Sequence, residues 1–278
     1  MINPVLKKEM KVRARSWKNT GMITLYAFVL VFSATVIFKI AEASAIYSGG
    51  FSPEILQALY ITCAICQIFL IGLLVPATTA SSISGEKQRR TFDLLICNRL
   101  SSKSIVIGKL FASLLQTFML LILALPVLSC LFMFGGLEFI DLFKLMTFYT
   151  TTAILLGSIG LFCSSIFKTT VPSIVVSYVI IFLLTFGMLI LMGVFYQVFE
   201  FEFLKPIFGS MLFLNPGTGL SAILSKQLGE SFIFTKMFFD VDMSANTVLI
   251  VNMLCELFMA GIFSILTARR IDPLRKCK

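Results

Sequence analysis

Long runs of apolar residues dominate the chain. Six of them are long enough to cross about 30 Å of hydrocarbon as helices that rise about 1.5 Å per residue. The first five runs contain no charged residue, and the sixth contains only Glu256. They lie at Thr20–Phe38, Ile55–Ile83, Leu110–Leu137, Leu145–Phe167, Val171–Phe199 and Ser244–Ala268. Because polar and apolar residues do not alternate with period two, the runs predict membrane-spanning helices rather than barrel strands.

A seventh uncharged stretch, Pro206–Ser225, differs from the others because helix-breaking residues interrupt it. It contains Pro206, Gly209, Pro216, Gly217 and Gly219, with Asn215 before the second proline. This composition predicts broken helices. Counting the stretch as a span would put the two basic termini on opposite sides of the membrane. We therefore predict a re-entrant or surface element within an extracellular segment over about residues 200–243, before the last span.

The distribution of charge predicts the orientation of the six helices. Most of the 23 Lys and Arg residues fall in segments that six spans place on one side. By the positive-inside rule this side is the cytoplasm, and both termini lie there. The chain then divides into an N-terminal amphipathic interfacial helix at 1–19, a transmembrane domain at 20–268 and a basic cytoplasmic tail at 269–278.

Composition narrows the class of function. The chain is 58% hydrophobic and 13% charged, which excludes a soluble enzyme or a soluble nucleic-acid-binding protein. Its net charge of +9 follows from membrane topology, so no nucleic-acid partner is expected. The chain has no His, the commonest general base and metal ligand. Cys63 and Cys66 have the spacing of a redox or metal pair, but without a second pair they are better interpreted as packing residues, and no metal site is expected.

Between the second and third spans, the residue pattern predicts a short amphipathic helix over Ser84–Leu100. Charged residues fill its first half, and Phe92, Leu95 and Ile96 follow at one-turn spacing. Periodicity alone would favour an ordinary basic loop that obeys the topology rule. The order of the residues in this segment provides a further argument for the helix.

The segment resembles the signature of bacterial permeases of the ABC transporter superfamily, in the type 2 exporter class. In that family a Gly-Glu-Lys-x-x-x-Thr-x-Asp/Glu-Leu-Leu pattern precedes a Gly-Lys pair that opens the third span. The matching residues are Gly85, Glu86, Lys87, Thr91, Asp93, Leu94, Leu95, Gly108 and Lys109. The opening Asn3–Glu9 is also similar to the start of many such subunits. The family commonly has Gly where Arg90 stands and Pro near Arg99.

The resemblance implies a membrane subunit of the bacterial inner membrane that pairs with a second copy or a related permease. It also implies a cytoplasmic ABC ATPase that binds ATP and Mg, because this chain has no phosphate-binding loop ending in Gly-Lys-Ser/Thr. The chain itself would be neither catalytic nor cofactor-binding, and its cargo is expected to be amphipathic. The segment over about 84–100 corresponds to the family's coupling helix. There, the residues expected to dock the ATPase are Phe92 and Leu95 in an apolar groove and Glu86, Arg89, Arg90 and Asp93 at its rim.

Glu256 is the remaining candidate, because a carboxylate near the middle of a span costs about 2.5 to 3.5 kcal/mol. It is either a protonated or hydrogen-bonded packing residue, with Asn252 as the expected neighbour, or a group that handles substrate or protons. An ion-coupled transporter or channel is the alternative function, and it would concentrate ionisable groups at mid-membrane. A membrane-embedded enzyme would need a convergent polar site. A single buried acid favours the exporter subunit over both.

Overall fold

The computed structural model describes residues 11, 17–48, 53–92, 102–135, 139–198, 210–228 and 244–271. Its regular elements within these ranges are all helical. The helices are α1 (Trp17–Ser48), α2 (Pro53–Ala80), α3 (Ser84–Gln88), α4 (Ser102–Gly135), α5 (Phe139–Ile166), α6 (Thr170–Phe182), α7 (Met188–Val198), α8 (Pro216–Leu228) and α9 (Ala245–Ile271). A π-helical turn, Leu183–Gly187, joins α6 to α7.

The six predicted spans are confirmed. Among the described residues, α1, α2, α4, α5, α6 with α7, and α9 each contain an apolar stretch long enough to cross a membrane. The third span differs from the prediction at its start, because its helix, α4, begins at Ser102 and includes Lys109. The interrupted seventh stretch yields α8, whose 13 residues span only about 20 Å of the 30 Å of hydrocarbon.

The more apolar a span is, the smaller the share of it that is buried in the bundle. In α5, the apolar stretch has the lowest mean hydropathy, 1.5, and 72% of it is buried, because α5 contacts α2, α4, α6, α8 and α9. The fifth span has the highest mean hydropathy, 2.8, and only 11% of it is buried. Lipid solvates apolar side chains as well as a protein core does, so polar and small residues favour the centre of the bundle.

Small and polar residues hold the central helices together. Where α2 crosses α5, a Cβ atom added to Gly160 would lie 2.0 Å from Thr79 Oγ1, so only glycine permits this approach. The Tyr149 hydroxyl on α5 donates to the carbonyl of Ala64 on α2 at 2.9 Å. These buried contacts fix α5 against α2 without a charged residue.

Several predicted features lie wholly or partly outside the described residues. They are most of the interfacial helix at 1–19, the second part of the predicted coupling helix at 93–100, both flanks of α8 within 200–243, and the tail from 272. The first three residues of the predicted tail, 269–271, continue α9.

Candidate functional site

The segment that carries the signature lies where several helices end. Residues 83–92 meet the start of α4, the end of α5, the start of α6 and the end of α9. We call this the basic end of the bundle. A small core separate from the main one lies here, the basic-end core, formed by Ile83, Phe92, Val106, Leu161, Ala268 and Ile271.

The two parts of the signature meet through an ion pair. Lys109 Nζ lies 3.1 Å from Glu86 Oε1, and the ammonium also donates to the carbonyl of Ser82 at 3.0 Å. The Lys109 side chain is 1% exposed and Glu86 is 20% exposed. Because its charge is compensated here, Lys109 is accommodated inside α4, which explains why this helix starts earlier than its uncharged run.

Further hydrogen bonds attach α3 to the helices on its other side. Ser164 Oγ, at the end of α5, accepts the N–H groups of Ile83 at 2.9 Å and Ser84 at 2.8 Å. These bonds satisfy backbone donors that the start of a helix leaves without intrahelical partners. Gln88 Oε1 accepts the backbone N–H of Thr170 at 3.3 Å and its hydroxyl at 3.1 Å. The short helix is therefore bound to α4, α5 and α6 at once.

The helix ends four residues after it starts, and not at Leu100 as predicted. Arg90 has a φ of 57°, in the left-handed region. The Arg90 N–H donates to the Lys87 carbonyl at 3.1 Å, and the Thr91 N–H donates to the Glu86 carbonyl at 3.0 Å. This pair of bonds is a Schellman motif, which usually has glycine at the left-handed position. The family commonly has Gly where Arg90 stands. Because glycine favours the left-handed position that ends a helix, this was the sequence signal for the helix end.

The structure describes four of the six predicted docking residues. Arg89 and Arg90 are exposed. Phe92 is 8% exposed and packs into the chain's own basic-end core, with Lys87 Nζ 5.5 Å from its ring centroid. Glu86 points to Lys109. Asp93 and Leu95 lie outside the described residues.

Glu256 lies in a separate polar cluster inside α9. Its side chain is 0% exposed, and the Thr152 hydroxyl on α5 lies 3.2 Å from Oε1 and from Oε2 and donates to the carboxyl group. The expected neighbour Asn252 is one turn away and makes other contacts. Among the acidic residues whose side chains are described, Glu256 is the only fully buried one.

Asn252 binds the turn that precedes α8. Its Nδ2 donates to the carbonyls of Phe213 at 2.8 Å and Asn215 at 3.0 Å. Asn215 in turn donates from Nδ2 to the Thr185 carbonyl in the π-helical turn at 2.8 Å, and its Oδ1 accepts the Gly217 N–H at 2.8 Å. The interrupted segment is thus attached to both the fifth and the sixth span, a connection that sequence reasoning did not find.

Six helices that are long and apolar enough to cross a membrane define a multi-pass membrane protein. A family model described as ABC-2 family transporter protein matches residues 3–268. The chain belongs to this family and is a membrane permease of an ABC transporter. A comparison with curated proteins found no match to this sequence.

Proposed function

We propose that the chain is the membrane subunit of an ATP-driven exporter, and that a separate ABC ATPase docks at its basic end. The observation that carries the proposal is the attachment of α3. Contacts from Glu86, Ser84 and Gln88 bind it to α4, α5 and α6, while Arg89 and Arg90 remain exposed. A force applied to α3 is therefore applied to three spanning helices together.

The ATPase supplies the chemistry. It binds ATP and Mg, and closure of its subunits moves α3 between two positions that correspond to two states of the membrane dimer. The chain's part is mechanical: the Glu86–Lys109 pair and the Ser164 contacts carry the displacement into the bundle. The positive-inside rule supports a cytoplasmic location for the basic end and for both termini of a protein in the bacterial inner membrane.

A second permease, either another copy or a related chain, completes the transporter. The least buried spans are the candidates for this contact. The apolar stretch of α1 is only 12% buried, and the fifth span is 11% buried. Phe28 and Phe32 on α1 and Phe182 and Phe186 on the fifth span are exposed large side chains. An amphipathic cargo suits a path between such apolar faces.

The ion-coupled alternative is less well supported by the site. Glu256 is closed off from solvent and its hydroxyl partner Thr152 is buried as well. The described residues contain no group of three His, Cys, Asp or Glu side chains arranged to hold a metal ion. We assign Glu256 to packing between α5 and α9.

Charge reversal at the exposed pair tests the docking proposal. Arg89→Glu/Arg90→Glu should lower the amount of ABC ATPase that copurifies with the tagged permease at least tenfold, because two rim charges become repulsive. Lys226→Glu is the matched control, since this exposed lysine at the end of α8 lies at the other end of the bundle. Equal ATPase recovery from both variants, with equal membrane insertion, would remove the basic end as the docking site.

A further inference from the structure

A cavity of about 520 Å³ opens at the basic end, between the α3 turn, the loop after α5 and the end of α9. Its volume lies within the range of small-molecule sites, about 300 to 1,000 Å³. Of the charged side chains that the structure describes in its lining, all are cationic: Lys87, Arg90, Lys168 and Arg270. These four residues come from three separate parts of the chain, so the tertiary fold creates the cluster.

Cations that line one cavity repel one another, and an anion between them reduces this repulsion. A concave surface lined by one sign of charge concentrates the field and attracts the opposite charge. Arg90, whose left-handed conformation ends α3, lines the cavity together with Lys87.

Apart from Ser165, the rest of the lining is apolar. Phe92, Ile166 and Ile271 form part of the wall. Ile166 is the last residue of α5, and Ile271 is the last residue of α9 as described. The cavity therefore lies where two spanning helices end, at the level of lipid headgroups, and it presents cations and apolar groups together. Basic cavities of this kind between transmembrane helices accept anionic headgroups.

We infer that this cavity binds the phosphodiester headgroup of an anionic phospholipid from the adjacent leaflet. The cations contact the phosphate, and the apolar wall contacts the glycerol and the first part of the acyl chains. The inference goes beyond the proposed function, because Lys168 and Arg270 line the cavity and are not docking residues, whereas Arg90 is shared by both sites. ATPase docking does not require an occupied cavity.

Two neighbouring arginines provide the test. Arg270 lines the cavity, whereas Arg269 is also exposed, belongs to the same turn of α9 and is not part of the lining. The purified full chain in mild detergent is titrated with dioleoylphosphatidylglycerol or dioleoylphosphatidylcholine, and bound lipid is counted by native mass spectrometry. Sodium phosphate is added as a competitor in a separate arm.

Lys168→Gln/Arg270→Gln should bind phosphatidylglycerol about 30-fold more weakly, given about 1 kcal/mol per basic residue. Arg269→Gln should bind it as the unchanged chain does. Lys168→Arg/Arg270→Lys should retain binding, which separates loss of charge from loss of fold. Phosphatidylcholine should bind weakly to all variants.

Four outcomes would overturn the inference. They are unchanged phosphatidylglycerol binding by the double glutamine variant, an equal loss in Arg269→Gln, binding of phosphatidylcholine as tight as that of phosphatidylglycerol, and displacement of phosphatidylglycerol by millimolar sodium phosphate. The last would assign the cavity to a free anion. If the double glutamine variant instead loses the copurifying ATPase and keeps the lipid, the cavity is part of the ATPase surface. That result would leave the proposed function standing.

Discussion

Lys109 near the start of α4 and Glu86 in α3 form an ion pair of 3.1 Å, in which the lysine is buried and the carboxylate is partly exposed. It joins the two parts of the signature, which are separated in the sequence. Glu86 Oε2 is buried and accepts no hydrogen bond from the described residues, so Lys109 is the main compensation for the carboxylate. The pair makes α3 and α4 one mechanical unit.

The first prediction concerns this pair. Lys109→Gln leaves Glu86 without its charge partner and should cost about 3 kcal/mol of unfolding free energy, near the low end for a buried pair because Glu86 is partly exposed. Glu86→Gln in the same chain should recover part of the loss, with a coupling energy of at least about 1 kcal/mol. The measurement is unfolding of the detergent-solubilised protein in SDS.

The control for the Lys109 and Glu86 variants is the Lys144–Asp141 pair. It spans one turn of α5 at 3.0 Å and is more exposed on the lysine side, at 29%. Lys144→Gln should cost about 0.5 kcal/mol or less. Additive effects of Lys109→Gln and Glu86→Gln would show that the two side chains do not depend on each other.

The second prediction separates backbone strain from charge at the α3 turn. Arg90→Gly should raise stability by about 0.5 to 1 kcal/mol, because glycine adopts the left-handed conformation without a Cβ penalty. Arg89→Gly should instead lower the stability by a similar amount. Arg89 has a φ of −84°, which any residue adopts, so glycine only adds backbone entropy to the unfolded chain. Both changes remove one exposed arginine, so thermal unfolding compares backbone effects at equal charge. A loss of stability in Arg90→Gly would contradict the Schellman assignment.

The third prediction concerns the attachment of α8 to α9. A Cβ atom at Gly219 would lie 2.2 Å from Asn252 Oδ1 and 2.5 Å from Phe148 Cε2. Gly219→Ala should therefore displace Asn252 and cost about 1 to 3 kcal/mol, as overpacking does. Gly261→Ala on α9 is the control, because no atom lies within 4 Å of its Cβ position, and it should be neutral or slightly stabilising. Equal stability of the two variants in SDS unfolding would show that the contact is not tight.

The fourth prediction tests the packing role of Glu256. Glu256→Gln keeps the size of the side chain and a partner for the Thr152 hydroxyl, so unfolding free energy should change by less than about 1 kcal/mol. Stimulation of the partner ATPase by the permease should be unchanged. A variant that folds normally but no longer stimulates ATP hydrolysis would move Glu256 from packing to the transport path.

The spans could be predicted from sequence because lipid imposes a length and excludes charge. Even the order of burial was present in the sequence, since the span with the lowest mean hydropathy became the central one. The break at Asn215–Pro216 was also predictable, because proline suits the first helical position and asparagine the cap before it.

The tertiary pairings could not be predicted in the same way. Nothing local to Lys109 indicates Glu86 as its partner, and nothing local to Asn215 indicates the Thr185 carbonyl. Phe92 shows most clearly where prediction from the sequence pattern fails. Its one-turn spacing from Leu95 and Ile96 fits an outward amphipathic face, but the chain turns at Arg90 and the ring packs inward. Periodicity assumes a continuous helix, and the left-handed residue breaks that assumption.

The most direct test of the account is photo-crosslinking in intact cells, with p-benzoylphenylalanine placed at the position of Arg89 or, as the control, of Lys226. We expect the Arg89 position to form an adduct with a protein that carries a Gly-rich nucleotide-binding loop, identified by mass spectrometry of the linked peptide. The Lys226 position should form none. A permease that forms no such adduct from the Arg89 position, or forms it equally from both positions, would contradict ATPase docking at the basic end.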